Sequence, residues 1–332
     1  MTGKEGPKMT RPFRFSIQAF SSPTRKEWVE LAQKVEASGF SALHVADHYL
    51  GPGTMIEGTG HRVQAMAMIP AMTAAAMVTS TLRIGSRMAC VSYHLPTILT
   101  KEMATIDVLS EGRLEVGLGA GWLEREYEAL GIPFETPGKR IQLLRETTEF
   151  MIQAFAAEGE LDYRGEFVQS HGYTAVPATV QRPHPPIMIG GGAPKVLRLA
   201  GELADIVSVN FNNSSGVVGA GSIASSTAEE THKKIEWIRE GAGDRFDSLE
   251  LETATYFISV EGRSQITPEA VMTRTGMDLT TLQAFPHAAV GSVDQICEEL
   301  QRRREEYGFS AITVGDAHLD AFLPIVERLA GT

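Results

Sequence analysis

The chain has 332 residues, 43% of them hydrophobic and 21% charged, ordinary proportions for a globular protein and enough for a sizeable core. Its formal net charge of −11 argues against a nucleic-acid or anionic-membrane surface, both of which need a basic patch. An anionic ligand stays compatible, because helix N-termini and a few Arg or Lys bind phosphate inside acidic proteins.

Two cysteines, Cys90 and Cys297, are too few and too far apart for a disulfide framework or a CxxC metal site, which fits a reducing cytoplasm. Residues 1–12 are polar, without the apolar stretch of a signal peptide, and are expected to form a flexible tail. The most apolar run, 65–78, contains Pro70 and is too short to span a bilayer, so no membrane association is expected.

Along the chain, short β-branched runs alternate with amphipathic helical runs. Residues 13–19 read as a first strand. A helix follows over 24–38, with Thr24 and Glu27 spaced as a capping box and Gly39 as its stop. Strand two is 42–47, followed by a helix over 70–80 opened by Pro70. Strand three is 82–90, with a helix over 96–109, and strand four is 113–118. A long amphipathic helix covers 138–156. Strand five is 186–190 with a helix over 194–204, and strand six is 205–210 with a helix over 227–240. Strand seven is 250–260 with a helix over 292–307. Strand eight is 310–315, and 319–330 is the closing helix.

Eight strand–helix pairs in strict order predict a parallel sheet. An open doubly wound sheet can be drawn from the same pattern. Eight units, no GxGxxG after the first strand and a final helix favour a closed (β/α)8 TIM barrel, one α/β domain over 1–332. Longer insertions lie at 48–69, 157–185, 211–226 and 261–290. Those after strands two, six and seven fall on the face where barrel enzymes do chemistry.

Candidate chemistry therefore sits at strand C-termini. Strand two ends in Asp47-His48-Tyr49, where His48 can exchange a proton near neutral pH and Asp47 can orient it; a loop-anchoring Asp beside a solvated His is the plain alternative. Strand four runs into Gly117-Leu118-Gly119-Ala120-Gly121. These glycines either let backbone N–H groups approach a ligand or serve a tight corner. Arg125 follows, expected to face the same mouth.

Strand five runs into Gly190-Gly191-Gly192-Ala193-Pro194-Lys195 at a helix start. This is the better phosphate signal, with Lys195 and Arg198 as added charge. On strand three, Arg87 breaks the apolar pattern: it points outward or the strand bulges. Cys90 reads as a small buried hydrophobe rather than a nucleophile. His44 lies within strand two, and His94, His171 and His184 lie in loops. No HxH or HExxH spacing appears, so no metal is expected, and GxSxG and P-loop motifs are absent.

The segment LPTILTKEMATIDVLSEGRLEVGLGAGWLEREYEALGIPFETPGKRIQLLRETTEFM, with ADHY at 46–49 and RPHPPIMIGGGAPKVLRLAGELADI at 182–206, resembles the luciferase-like monooxygenase superfamily. Within it the chain looks most like the branch that uses the deazaflavin coenzyme F420, with FMN as the alternative. The resemblance implies an oxidoreductase that transfers a hydride between the deazaflavin C5 and an organic substrate. His48 would be the catalytic proton partner.

The cofactor contacts that the resemblance implies are Asp47, Met88, Cys90, Ala120, Gly121, Arg125, Gly191, Gly192, Ala193 and Asn210. A non-proline cis peptide maps near Arg87-Met88. Relatives that oxidise glucose 6-phosphate carry an acid where this chain has Trp122, which speaks against sugar-phosphate oxidation. The rival readings are an FMN-dependent monooxygenase with a flavin reductase partner, and a non-catalytic flavin- or deazaflavin-binding protein. A homodimer is implied by relatives.

Overall fold

The computed structural model describes residues 11–332; most of the tail expected at 1–12 lies outside them. Eight strands form the barrel: β1 Arg14–Ala19, β2 Ala42–Val45, β3 Arg83–Ser86, β4 Leu114–Gly119, β5 Ile187–Gly191, β6 Ile206–Val209, β7 Glu250–Thr255 and β8 Phe309–Gly315. Each is parallel to its neighbours, and β8 pairs with both β7 and β1, with Ala311 against Glu252 and against Arg14. The ring is closed, and the open-sheet alternative falls away.

The helices stack outside it. The first, α1 Arg25–Ala37, begins with the capping box read from the sequence: Thr24 accepts from Glu27 N–H while Glu27 reaches back to the Thr24 backbone. The helix after β5 is α2 Pro194–Leu203, and the helix after β6 is α3 Ala228–Ala242. Between the ring and the helices the core is aliphatic and aromatic, with Phe15, Ile17, Leu43, Ile84, Val116, Ile189, Val207 and Ile312 buried on the outward faces of the strands.

The inward faces are polar. Near the N-terminal ends of the strands, Glu115 is buried and receives Arg14 at 2.7 Å, Arg83 at 2.8 Å and His44 Nε2 at 3.0 Å. Burial opposes ionisation of Glu115, but the charges of Arg14 and Arg83 and the hydrogen bond with His44 hold its carboxyl far below the usual range. Higher in the barrel, Arg87 reaches across from the β3 side. Its guanidinium touches both carboxylate oxygens of Glu252 on β7 (3.1 and 3.0 Å), Gln18 on β1 (3.0 Å) and Ser208 on β6 (3.1 Å). The sequence offered an outward Arg87 or a bulge. The strand does bulge, and the side chain turns inward, because only the lumen supplies a carboxylate to match a buried charge.

Three elements differ from expectation. Strand three breaks after Ser86; the Arg87–Met88 peptide is cis, and Ala89–Cys90 resumes the ladder beside Leu118 and Gly119. Strand seven, expected to run over 250–260, breaks at Tyr256. There the N–H groups of Tyr256 and Phe257 both donate to His287 O, at 2.9 and 3.1 Å. The second piece, Phe257–Val260, leaves the barrel to pair with Ala288–Gly291. The stretch at 157–185, which gave no periodic signal, contains the hairpin Glu160–Arg164/Gln169–Thr174.

Arg87→Leu strands a buried carboxylate and should cost about 3–5 kcal/mol in chemical denaturation, whereas pairing it with Glu252→Leu should recover most of that loss; a small effect of the single change would mean that Glu252 is not held by Arg87. His287 is buried, and desolvation lowers its pKa from 6.5 to about 3. Between these values the unfolded chain binds a proton that the folded chain does not, so stability falls as pH drops below 6.5. At pH 4 the loss from this residue should be roughly 3 kcal/mol, and His287→Asn should flatten that part of a denaturation-versus-pH series.

Candidate active site

The C-terminal ends of β2, β3, β4, β5 and β6 converge on one rim. Asp47, just past β2, is buried. Its Oδ2 accepts from Cys90 N–H at 2.9 Å and lies 2.7 Å from His94 Nε2. Burial opposes a charged His94, but the hydrogen bond and charge of Asp47 outweigh it and raise the imidazole pKa. Asp47 Oδ1 is buried and has no hydrogen-bond partner among the described residues. An orphaned carboxylate oxygen costs free energy of order 1–3 kcal/mol, so a ligand N–H or O–H at this point would be strongly favoured.

His48 is the next residue. Its Nδ1 lies 2.8 Å from Glu126 Oε2. Glu126 sits on the short helix Glu124–Leu130 after β4 and is fully buried. It also accepts from Tyr49 N–H at 2.7 Å, Leu50 N–H at 3.2 Å and the Tyr93 hydroxyl at 3.0 Å. Burial alone would raise its pKa, yet the hydrogen bonds from His48, Tyr49 and Tyr93 lower it. An ionised Glu126 has no proton to give, so His48 Nδ1 must be the donor. That fixes the tautomer of the neutral ring and leaves Nε2 with a free lone pair, the arrangement of a general base oriented by a carboxylate.

Beside this pair, Met88 lies over the glycines of β4 and β5. A Cβ on Gly117 would meet Ser86 O at 2.0 Å and Met88 Sδ at 2.9 Å, and one on Gly190 would meet Met88 Cε at 2.8 Å. The first glycine of each cluster therefore admits the strand-three bulge. Gly121, at φ +74°, faces the Tyr127 hydroxyl so closely that no side chain fits. Cys90 Sγ is 3.2 Å from that hydroxyl, and burial pushes the thiol up to about 12, which rules out a thiolate nucleophile near neutral pH.

On the neighbouring rim, Gly191, Gly192 and Ala193 lead into α2, whose N-cap Ala193 has no side chain to satisfy the first-turn N–H groups. A Cβ on Gly192 would lie 2.6 Å from Asn210 O, the carbonyl that also accepts from the buried Lys234 ammonium at 2.6 Å. Asn210 Oδ1 accepts from the Tyr256 hydroxyl at 2.7 Å. Thus Asp47, His48, Met88, Cys90, Ala120, Gly121, Gly191, Gly192, Ala193 and Asn210 all lie at adjoining strand ends.

Two of the charged side chains singled out in the sequence are engaged by other parts of the protein. Arg125 is exposed and donates to the carbonyls of Thr54 and Glu57, at 3.3 and 2.7 Å, tying down the loop after β2. Arg198 pairs with Glu240 at 2.6 Å because its turn of α2 faces α3; of the two charges expected there, only Lys195 stays near the helix start. Sequence reasoning also missed Glu126, His61, His94 and Lys234. Glu126 carried a signal, an acid in the first turn after the strand-four glycines. His61 carried none.

A polar-lumened (β/α)8 barrel with a carboxylate–imidazole pair at its mouth defines a class of barrel enzyme site. The chain belongs to the luciferase-like monooxygenase family, whose model matches residues 9–250. An uncharacterized Mycobacterium tuberculosis protein is 34% identical over 171 residues, 48% of this chain and 58% of that one; the chain thus spans little more than half the length of the first curated relatives it matches. The FMNH(2)-dependent dimethylsulfone monooxygenase of Pseudomonas putida is 30% identical over 124 residues, 37% of this chain and 33% of that one. The 5,10-methylenetetrahydromethanopterin reductase of Methanopyrus kandleri is 23% identical over 314 residues, 85% of this chain and 82% of that one. The solved structure of a coenzyme F420 dependent tetrahydromethanopterin reductase from that organism matches the fold with TM-score 0.73 at 18% identity, over 97% of this chain and 98% of that one.

The tautomer is directly measurable. In the 15N spectrum of the wild type above the His48 titration, Nδ1 should be protonated and Nε2 bare, and Glu126→Gln should erase that preference. An Nε2–H tautomer in the wild type would contradict the assignment.

Proposed function

We propose that this protein is an F420-dependent oxidoreductase that transfers a hydride between the deazaflavin and an organic substrate, with His48 as the proton partner. The observation that carries the reading is the Glu126–His48 pair, its Nε2 unclaimed, beside the orphaned Asp47 Oδ1. The reading is also supported by the length of the match to the methanopterin reductase, which spans most of both chains, whereas the match to the FMNH(2)-dependent enzyme spans about a third of each.

The orphaned oxygen and the glycine-lined shelf at Met88 fit a flat ring system with a polar edge. Asp47, Met88 and Cys90 would hold that ring, and Ala120, Gly121 and Asn210 would border it. The N–H groups of Gly191, Gly192 and Ala193, with the α2 N-terminus, would grip an anionic tail. When bound, the cofactor supplies the carbon that gives or takes the hydride.

The chain's own part is proton handling and positioning. His48 Nε2 takes a proton from a substrate hydroxyl or returns one, while Glu126 stabilises the resulting imidazolium through Nδ1–H. Trp122 stands where the resemblance implies an acid in sugar-phosphate-oxidising relatives, which speaks against a substrate of that class. A homodimer and a cytoplasmic setting complete the reading.

The test is a titration of the apo-protein with F420 and with FMN, followed by fluorescence. Tight F420 binding is expected; FMN binding alone, with oxygen uptake in the presence of reduced FMN and a flavin reductase, would replace this reading with the monooxygenase. His48→Ala should leave cofactor affinity within a factor of about two and lower turnover by about 10²–10⁴. Unchanged turnover would remove His48 from the mechanism, and binding without turnover of any substrate would favour a carrier.

A further inference from the structure

The loop after β2 crosses the mouth and is fastened at four places. Ala65 N–H donates to Phe20 O, after β1, at 2.9 Å, and Val218 N–H, after β6, donates to Thr59 O at 2.8 Å. Arg125, after β4, holds the carbonyls of Thr54 and Glu57. Arg62 lies 3.4 Å from Asp316, after β8, and stacks over Phe20 at 4.6 Å. Gly60, at φ +72°, passes so close to the second loop that a Cβ would lie 2.5 Å from Val218 O.

The effect is to lay His61 on His48. Their ring centroids are 3.9 Å apart, and His61 is flanked by Trp122 at 5.7 Å and Phe20 at 6.0 Å. No sequence motif calls for a second imidazole here, and the chemistry derived above does not use one.

We infer that the loop over residues 51–62 is a lid whose closure places the neutral His61 ring against His48 as a platform for its protonated form, so that lid closure and protonation of His48 favour each other. The inference rests on His48 as the proton partner and makes His61 a positioning residue. An imidazolium is attracted to the face of a neutral aromatic ring. His61 stays neutral because burial, with His48 beside it, lowers its pKa to about 3. The other charged or titratable groups around the two rings are Glu126, which receives His48 Nδ1; Tyr93, which donates to the same carboxylate; Asp47, the neighbour of His48 on the chain; and Arg62, beside His61. Linkage requires reciprocity: whatever opens the lid must weaken proton binding at His48, and protonation must tighten the lid.

The experiment uses the full-length apo-protein, with no substrate or cofactor, so that an error in cofactor identity leaves it intact. The His48 titration is followed by NMR of 13C-labelled histidine in the wild type, His61→Ala, His61→Phe and Arg125→Ala, with amide hydrogen exchange of the loop measured at pH 5 and pH 8. His61→Ala should lower the His48 midpoint by about half a pH unit, a roughly threefold loss of proton affinity. His61→Phe, which keeps a neutral ring, should stay near the wild type.

Arg125→Ala removes a nearby positive charge, which by itself would raise the midpoint; if it instead opens the lid, the midpoint falls and exchange at residues 51–60 rises. Loop protection factors in the wild type, taken after correction for the base-catalysed intrinsic exchange rate, should be higher at pH 5 than at pH 8. An unchanged midpoint in His61→Ala, an equal fall in His61→Phe, or a midpoint in Arg125→Ala that does not fall although loop exchange rises would each overturn the proposal. If His61→Ala does not fold, Arg125→Ala and the wild-type exchange profile decide it.

Discussion

The contact on which the rest of the mouth depends is the pairing of Arg87 with Glu252 across the barrel lumen. A guanidinium so deeply buried has to find a carboxylate, and the one it meets among the described residues is Glu252 on β7. To send that side chain inward, strand three gives up its ladder for two residues. The bulge that results carries Met88 over β4 and β5 and turns Cys90 N–H toward Asp47. A buried pair of this kind contributes little net stability compared with a hydrophobic replacement, but losing one partner leaves a bare charge inside.

The same logic explains the polar lumen. Glu115, with Arg14, Arg83 and His44 as partners, closes the lower half, and Arg87 with Gln18, Ser208 and Glu252 closes the upper. Hydrophobic packing is displaced to the outer face of the strands. The two layers divide the work: the outer one supplies burial free energy, and the inner one specifies which strand faces which. The rim stands on the inner layer, so Asn210 and Tyr256 take their places from the same network that holds Arg87.

The glycines show how one residue type answers to two demands. Read along the chain, the clusters at 117–121 and 190–192 suggest backbone laid open to a ligand. In the folded protein Gly117, Gly190 and Gly192 are also needed by the chain itself, since a side chain at any of them would strike Ser86, Met88 or the backbone at Asn210–Phe211. The close approach of strand three and an open ligand rim are one geometry seen from two sides. Glycine runs after barrel strands therefore speak for the bulge as well as for any bound anion.

Much of the architecture was legible in the sequence because it depends on local terms. Alternation of β-branched and amphipathic runs, the Thr24–Glu27 cap and eight repeats in order are set by neighbours a few residues apart. The family motifs placed His48, Asp47 and the glycines at strand ends for the same reason. The inward turn of Arg87, the break at Tyr256, the reach of Glu126 to His48 over 78 positions and the stacking of His61 on His48 were not legible. Each is decided by a partner far away in the chain, and burial removes water as the alternative partner. Local propensity chose the strands and helices; the need to match every buried charge and polar group chose what meets at the mouth.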